Sequence, residues 1–299
     1  MASLAHALSP TSSPFLVLHA LAPPALPHSS SSMSPVLRLR HRLSSLAAAA
    51  VRQESATWIQ APLSLVLPAS SDSSLFHVTV DVSDSPDLAS SHTAAGQYLQ
   101  LRLPSATEAK PTFLAIASPP SLAATRGELE FLVKRVAGST AELLCFLKSG
   151  DVVEISGIMG RGFDIARISP PNSAKTVLIF ATGSGISPIR SLIETGFNAN
   201  ERPDIRLYYG ARNIQRMAYQ DRFKNWESTG VKIVPVLSQP DDTWKGKRGY
   251  VQAVFSRAKQ LFDVSSTGAV LCGHKAMTEE VTSLLVADGV SRDKILKNF

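Results

Sequence analysis

The feature that most constrains this chain is a short apolar run that ends at two glycines and continues into a helix. Residues 177–180 read Val-Leu-Ile-Phe, a pattern typical of a buried strand. Gly183 and Gly185 follow, and Ser187 and Pro188 suit the N-cap and first turn of a helix. Free N–H groups and the helix dipole attract anions at such a helix start. The segment predicts a phosphate cradle, although glycines also serve tight turns for steric reasons alone.

Beyond its first fifty residues, the chain shows two successive patterns of predicted secondary structure. Short strands are predicted at residues 58–67, 75–82, 97–103, 113–117, 128–136 and 151–155, with a capped helix starting at Ser139. Residues 76–80 and 98–103 show the period-two alternation of a strand. Six strands at this spacing favour an antiparallel β-barrel. After residue 170, strands at 176–181, 205–209, 231–237, 269–272 and 294–299 alternate with helices at 187–195, 218–227, 251–261 and 275–287. That order predicts a Rossmann-like, doubly wound parallel sheet, whose ligands bind beyond the carboxyl ends of the strands.

Residues 1–53 differ in kind from the rest. They contain four arginines, no lysine and no acidic residue, and they are rich in Ser, Ala, Leu and Pro. This composition is typical of a transit peptide, and its serine content favours a chloroplast. A secretory signal and a disordered linker are the alternatives. We expect a transit peptide at 1–53, a barrel domain at 54–170 and an α/β domain at 171–299, with the mature chain in the plastid stroma.

Charge and composition exclude several function classes. With the leader set aside, 26 basic residues face 24 acidic ones, so the high pI gives no indication of a nucleic-acid partner. No apolar run is long enough to predict an integral membrane segment. Cys145 and Cys272 do not make a disulfide framework. No His/Cys spacing predicts a metal site, and no Ser/His/Asp set predicts a hydrolase.

Five motifs, in this order, resemble the ferredoxin–NADP reductase superfamily from about residue 54 to the chain end. They are Gly-Gln-Tyr at 96–98, Gly-Ser-Thr at 138–140, Gly-Ile-Met-Gly-Arg-Gly-Phe at 157–163, Thr-Gly-Ser-Gly-Ile-Ser-Pro at 182–188 and Cys-Gly-His-Lys-Ala-Met at 272–277. The resemblance implies an FAD-binding barrel followed by an NAD(P)H-binding α/β domain.

The family's flavin signature, Arg-x-Tyr-Ser, is altered here. Thr112 stands at the arginine position, Leu114 at the tyrosine position and Ala115 at the serine position. A charge-assisted hydrogen bond contributes about 1.5–3 kcal/mol and a stacked aromatic pair about 0.5–1.5 kcal/mol beyond area burial. We therefore expect FAD to bind more weakly than in relatives with the full signature.

The resemblance assigns the candidate site residues. For flavin they are Thr112, Leu114, Ala115, Gly138, Ser139, Thr140, Gly160, Gly162 and Phe163. For the pyridine nucleotide they are Thr182, Gly183, Ser184, Gly185, Ser187, Pro188, Gly210, Arg212, Arg216, Tyr219, Gly273 and Met277. Arg212 and Arg216 would meet a 2′-phosphate and Tyr219 the adenine, or the arginines are solvated surface and Tyr219 packs on the sheet. Gln239, where NADP-specific relatives tend to carry arginine, leaves NADH and NADPH both open.

Two residues are assigned to catalysis. Cys272 ends a strand beside the expected nicotinamide, and Phe299 ends the chain where plant-type relatives stack a tyrosine on the flavin. The alternatives are core packing for Cys272 and, for Phe299, an edge residue that fills a surface groove. The predicted function is a flavin-dependent oxidoreductase that passes hydride from NAD(P)H to FAD and on to an unknown acceptor. A small electron-carrier protein such as ferredoxin is a possible partner. The alternative is a nucleotide-binding regulator or assembly subunit that kept the fold and lost catalysis.

Overall fold

A computed structural model of the chain describes residues 57–106, 108–258 and 261–298. Six antiparallel strands form the first sheet: β1 (Ile59–Pro68), β2 (Leu75–Asp81), β3 (Tyr98–Arg102), β4 (Thr112–Ala115), β5 (Glu128–Lys134) and β6 (Val152–Ile155). Their order is β4-β3-β6-β1-β2-β5, and a bridge between Ile116 and Phe131 joins the two edges. The sheet is therefore a nearly closed barrel, as predicted.

The barrel carries three short helices where the sequence predicted one. They are α1 (Pro86–Ser91), α2 (Pro120–Arg126) and the predicted α3 (Thr140–Leu144). Both unexpected helices begin at a proline, which suits the first helical turn, and neither is longer than seven residues. A helix of six or seven residues has fewer than two turns, so its sequence shows no recognisable helical period.

The second sheet is parallel throughout and lies among helices. Its strands are β7 (Thr176–Thr182), β8 (Asp204–Ala211), β9 (Val231–Leu237), β10 (Lys247–Arg248), β11 (Thr267–Cys272) and β12 (Ile295–Lys297). The helices are α4 (Ile186–Thr195), α5 (Phe223–Ser228), α6 (Val251–Ala258) and α7 (Lys275–Ala287). The order is β10-β9-β8-β7-β11-β12, so the chain winds outward from β7, then returns to its other side. The glycine turn follows β7 and therefore lies at the switch point, where such sheets bind ligands.

Each face of the parallel sheet has its own core. On one face, Phe180 and Tyr208 stack with ring centroids 5.1 Å apart, and Phe255 meets Phe180 edge-on. The cluster on the other face also contains Leu75, Ala95, Leu132 and Phe163 from the barrel part of the chain. The two sheets therefore share one apolar interface.

Polar contacts reinforce that interface. The Ser191 hydroxyl on α4 donates to the Ser118 carbonyl at 2.7 Å. Beside it, the buried Arg190 donates to the Glu130 carboxylate on β5 and to Glu194, one turn further along α4. These contacts hold the helix that follows the glycine turn against the barrel.

Candidate functional site

The main cleft is a cavity of about 640 Å³ between strand β4 of the barrel and the carboxyl edge of the parallel sheet. One wall is formed by residues 112–115 with Leu132, Lys134 and Val136. The opposite wall is formed by residues 182–185, Ser187, Pro188 and residues 272–274. The structure thus brings together the nucleotide motif, the Cys-Gly motif and the altered flavin signature, which are far apart in sequence.

The two glycines of the turn have different roles. Gly183 has φ +54°, and a Cβ atom built on it would meet no atom within 4 Å, so its backbone faces open space in the cleft. A Cβ on Gly185 would lie 2.6 Å from the carbonyl oxygen of Cys272. Gly183 thus leaves room for a ligand, whereas Gly185 lets the turn pack against the end of β11.

Helix α4 begins one residue earlier than predicted, so Ser187 is not its N-cap. Gly185 is the N-cap, and Ser187 lies within the first turn. The Ser187 hydroxyl is buried and has no hydrogen-bond partner among the described residues, although the residue lines the main cleft. A buried hydroxyl without a partner costs free energy, and a ligand acceptor at this ten-residue helix would satisfy it.

The end of β11 is fixed to the end of β7. The backbone N–H of His274 donates to the Thr182 hydroxyl at 2.9 Å, and Gly273, at φ +142°, would place a Cβ only 2.1 Å from that oxygen. Burial raises the pKa of the adjacent Cys272 thiol to about 12. Cys272 therefore presents a protonated, apolar surface to the cleft and not a thiolate nucleophile.

A second cavity, the rim groove, continues from the glycine turn along the sheet edge. It has a volume of about 580 Å³ and is lined by Gly210, Arg212, Ser238, Tyr250 and Met277, among others. Arg212 is exposed and forms no ion pair with any carboxylate in the described part of the chain. Tyr250 is 66% exposed and follows Gly249, whose φ is +108°. Sequence reasoning missed Tyr250, because only the tertiary fold brings this turn to the groove.

Two side chains that were predicted to contact the nucleotide are engaged by other protein groups. Arg216 lines the main cleft, but its Nε atom donates to the Asp72 carboxylate of the barrel at 2.5 Å. Tyr219 is 2% exposed, and its ring lies against His77 and over the Arg190 guanidinium. The adenine contact expected for Tyr219 is therefore corrected: the ring is packing between the two sheets, the alternative reading of the sequence.

Strand β4 presents a different side chain from the one the flavin signature indicated. Both Leu114 and Phe113 line the cleft, but Leu114 is 7% exposed and belongs to the barrel core, whereas the Phe113 side chain beside it is 62% exposed. The Phe113 and Tyr98 rings lie 6.0 Å apart. An aromatic face is therefore available at the cleft, one residue away from the expected position.

The helix start expected to meet the flavin diphosphate is satisfied internally. The Glu142 carboxylate accepts from the Gly138 N–H at 2.7 Å, and the Ser139 hydroxyl accepts from the Glu142 N–H at 3.4 Å. Thr140 is buried, and its hydroxyl donates to the Lys110 carbonyl at 2.6 Å. These groups form a capping box that closes the five-residue helix α3 and adds a negative charge there.

The glycines of the last flavin motif also serve packing. A Cβ on Gly160 would lie 2.7 Å from the Tyr98 ring, and one on Gly162 would lie 2.5 Å from the Ala95 carbonyl oxygen. Phe163 is 4% exposed and belongs to the interface core. In this structure the loop supports the barrel wall and does not line the main cleft.

The residues of the cleft therefore fit the pyridine nucleotide and FAD to different extents. The open Gly183, the unpartnered Ser187 hydroxyl and the start of α4 fit the diphosphate of a pyridine nucleotide. The apolar β4 wall with Phe113 fits a flat flavin ring. The capped start of α3 and the neutral Thr112 do not fit the diphosphate of FAD.

Four expectations concern residues or features that the structure describes only in part. The transit peptide and Phe299 lie outside the described residues, although the neighbouring Asn298 side chain lies close to Gly96 on the barrel. Across residues 57–106, 108–258 and 261–298, no cluster of three His, Cys, Asp or Glu could hold a metal ion. In the same ranges, no helix has the length and apolarity needed to cross a membrane.

A family model and several known proteins are similar in sequence to this chain. Residues 179–283 match the family model of the oxidoreductase NAD-binding domain. Fruit protein pKIWI502 of Actinidia deliciosa is 49% identical over 296 residues, covering 95% of this chain and 93% of its own. The phenol 2-monooxygenase reductase component DmpP of Pseudomonas sp. (strain CF600) is 31% identical over 69% of this chain and 57% of its own. The chain thus spans somewhat over half of that reductase.

Solved structures share the fold. A ferredoxin NADP+ reductase from Neisseria gonorrhoeae with bound FAD and NADP superposes with a TM-score of 0.66 at 17% identity, covering 82% of this chain and all of its own. A ferredoxin reductase in carbazole 1,9a-dioxygenase gives a TM-score of 0.65 at 20% identity, covering 81% and 69%. With the barrel, the parallel sheet and the two nucleotide-side motifs at one cleft, these relatives confirm the resemblance: the chain belongs to the ferredoxin–NADP reductase superfamily of oxidoreductases.

Proposed function

We propose that this protein is an NAD(P)H-dependent flavin oxidoreductase that passes electrons on to a separate acceptor. The observation that carries this proposal is the main cleft, where an open glycine turn faces an apolar, aromatic wall at the switch point of the sheet. The nucleotide diphosphate would rest on residues 182–187 and the nicotinamide near Cys272. A bound flavin would supply the acceptor for hydride; the protein supplies approach, orientation and exclusion of water.

The acceptor is proposed to be a small electron-carrier protein such as ferredoxin. Support comes from the names of two relatives, the reductase component DmpP and a ferredoxin–NADP reductase B of Sorangium cellulosum. We also propose that residues 1–53 direct the chain to the plastid stroma. A fluorescent protein fused to the C-terminus should accumulate in plastids, and cytosolic fluorescence would contradict that targeting.

An anaerobic spectrum of the purified protein with added flavin tests the function. Addition of NADPH or NADH should bleach the flavin absorbance, with one nucleotide oxidised per flavin reduced. Gly183→Val serves as the matched variant, because its side chain would occupy the space left open at the glycine turn. Unbleached flavin in the wild-type protein with both nucleotides would overturn the proposal.

A non-catalytic, nucleotide-binding regulator is the second candidate. The capping box at α3 favours it, since the structure closes a helix start that a reductase would use for FAD. For this candidate, NAD(P)H should bind to the wild-type protein with no electron transfer to any flavin.

A further inference from the structure

We propose that the main cleft takes flavin by its ring, as an exchangeable substrate, so that the protein is an NAD(P)H:flavin reductase that releases dihydroflavin. This inference rests on the proposed function and makes free flavin the separate acceptor, in place of the electron-carrier protein proposed above. In the reaction, hydride leaves C4 of the nicotinamide and forms a bond to N5 of the flavin, and a solvent proton adds at N1. The products are NAD(P)+ and dihydroflavin, so two electrons and two hydrogens are conserved.

The first argument is the contrast between the two helix starts at the cleft. Helix α4 follows an open glycine, and its Ser187 hydroxyl is buried without a partner. At α3, the Gly138 N–H and the Thr140 hydroxyl already have intramolecular acceptors, and Glu142 contributes a carboxylate. An anion gains donors at the first position and meets a fixed negative charge at the second. The geometry thus offers one diphosphate cradle, and the pyridine nucleotide occupies it.

The second argument is what the barrel wall offers in place of the cradle. Phe113 is 62% exposed beside the Tyr98 ring, and Val136, also exposed, lines the same wall. An aromatic face stacks on a flat heterocycle whatever chain that ring carries. The wall therefore recognises the part that riboflavin, FMN and FAD have in common.

The third argument concerns the cations near the cleft. Arg216 is held by Asp72 at 2.5 Å, which leaves Lys134 and Arg212 as the lining cations without a described carboxylate partner. Arg212 also lines the rim groove, where the nucleotide is expected to lie. Among the described residues of the lining, Lys134 is therefore the one cation left for a second diphosphate, and no arginine remains to bind it with two parallel hydrogen bonds.

Fluorescence titration of the full-length protein with riboflavin, FMN and FAD tests the inference. We expect the three dissociation constants to agree within about threefold, because only the shared ring is held. A protein that holds the diphosphate by charge-assisted bonds would bind FAD about 100-fold more tightly than riboflavin. FAD that co-purifies at one per chain, or binds more than tenfold more tightly than riboflavin, would overturn the inference and leave the proposed function standing.

Two variants probe the α3 start directly. Glu142→Gln keeps an acceptor for the Gly138 N–H and removes the charge, so it should tighten FAD about fivefold without affecting riboflavin. Thr112→Arg adds a cation at the cleft wall and should act in the same direction. If both variants change riboflavin and FAD equally, the flavin chain does not approach α3 and the argument from α3 fails. If no flavin binds or accepts electrons while NAD(P)H still binds, the proposed function fails as well.

Discussion

The unpaired imidazole of His92 makes one residue a determinant of acid stability. His92 is 3% exposed, neither ring nitrogen has a partner among the described residues, and burial lowers its pKa from 6.5 to about 4. In the unfolded chain His92 binds a proton below pH 6.5, whereas in the folded chain it stays neutral down to about pH 4. This contribution to the free energy of unfolding is present above pH 6.5 and is therefore lost as the pH falls. The loss should reach roughly 3 kcal/mol at pH 4.

The His92→Leu variant isolates that effect. Leucine has a similar volume and no proton to bind, so its free energy of unfolding should lack this part of the decline between pH 6.5 and 4. Urea titrations of both proteins across this range measure the difference. Parallel pH profiles for the two proteins would show that His92 is hydrated in solution.

The two glycines of the nucleotide turn should respond oppositely to alanine. Gly183→Ala places a methyl group in open space at φ +54°, so it should cost only about 1 kcal/mol of stability. It should also raise the dissociation constant of NAD(P)H by about 10–100-fold, because the methyl group displaces a phosphate oxygen from its backbone donor. Calorimetric titration with thermal melting measures both effects.

Gly185→Ala should instead damage the fold. Its Cβ would lie 2.6 Å from a backbone oxygen, so the turn must move away from β11, at a cost of roughly 1–3 kcal/mol. This expectation differs from that of the sequence pattern, in which both glycines serve the phosphate. A Gly185→Ala protein with unchanged melting temperature would contradict the packing role.

At the scale of elements, two loops should determine how NADH and NADPH bind: the loop that follows β8 and the loop that precedes α6. Arg212 and Tyr250 line the rim groove from these two loops. Arg212→Gln should weaken NADPH about tenfold or more and leave NADH nearly unchanged, if the guanidinium binds the 2′-phosphate. Fluorescence titration with both nucleotides measures this ratio, and equal weakening of both would exclude that contact.

Tyr250 is expected to act on the adenine instead. Tyr250→Ala should weaken NADH and NADPH by the same factor, about threefold to tenfold, through loss of a stacking face. Tyr250→Phe keeps the ring and serves as the matched control. A loss in the Phe variant equal to that in the Ala variant would assign the effect to the hydroxyl group.

Elements with long, regular patterns could be predicted well. Strand β9 and helix α7 have the predicted bounds, residues 231–237 and 275–287. Strand β9 is a mostly apolar run that follows Gly230, and α7 is an amphipathic segment that ends two residues before Gly289, so turn residues mark these boundaries in the sequence. The start of α4 was missed by one residue, since a 3₁₀ turn at Gly183–Gly185 leads directly into the helix.

The site was predictable only where a motif is local. The glycine turn and Cys272 were found at the cleft because their strands end there. Whether a donor is already satisfied depends on tertiary contacts: Thr140 bonds Lys110, thirty residues away, and Arg216 bonds Asp72 across the interface. No local pattern reports either partner, so both residues looked available to a ligand.

At the scale of the whole molecule, Arg190 should be the costliest ion-pair residue to remove. It is 4% exposed and holds Glu130 of the barrel and Glu194 of α4 together. Arg190→Gln should destabilise the protein by about 3 kcal/mol, because it leaves the part-buried Glu130 without its cation, whereas Glu194 keeps Arg222 and the indole N–H of Trp226. Arg102→Gln breaks the more exposed ion pair between Arg102 on β3 and Glu154 on β6, and it should lower the free energy of unfolding by at most about 1 kcal/mol. Equal losses in urea unfolding would contradict this ranking.

The apolar interface that joins the two sheets also limits how such a protein can be rearranged by recombination. Leu75, Ala95, Leu132 and Phe163 complete a core whose other members come from the parallel sheet and its helices. A gene fusion that carried either half to a new partner would leave that surface facing water, where it favours aggregation. A chimera can therefore succeed only if the incoming half presents a matching surface. The segment between β6 and β7 marks a change of sheet topology and is not a point at which the chain can be cut.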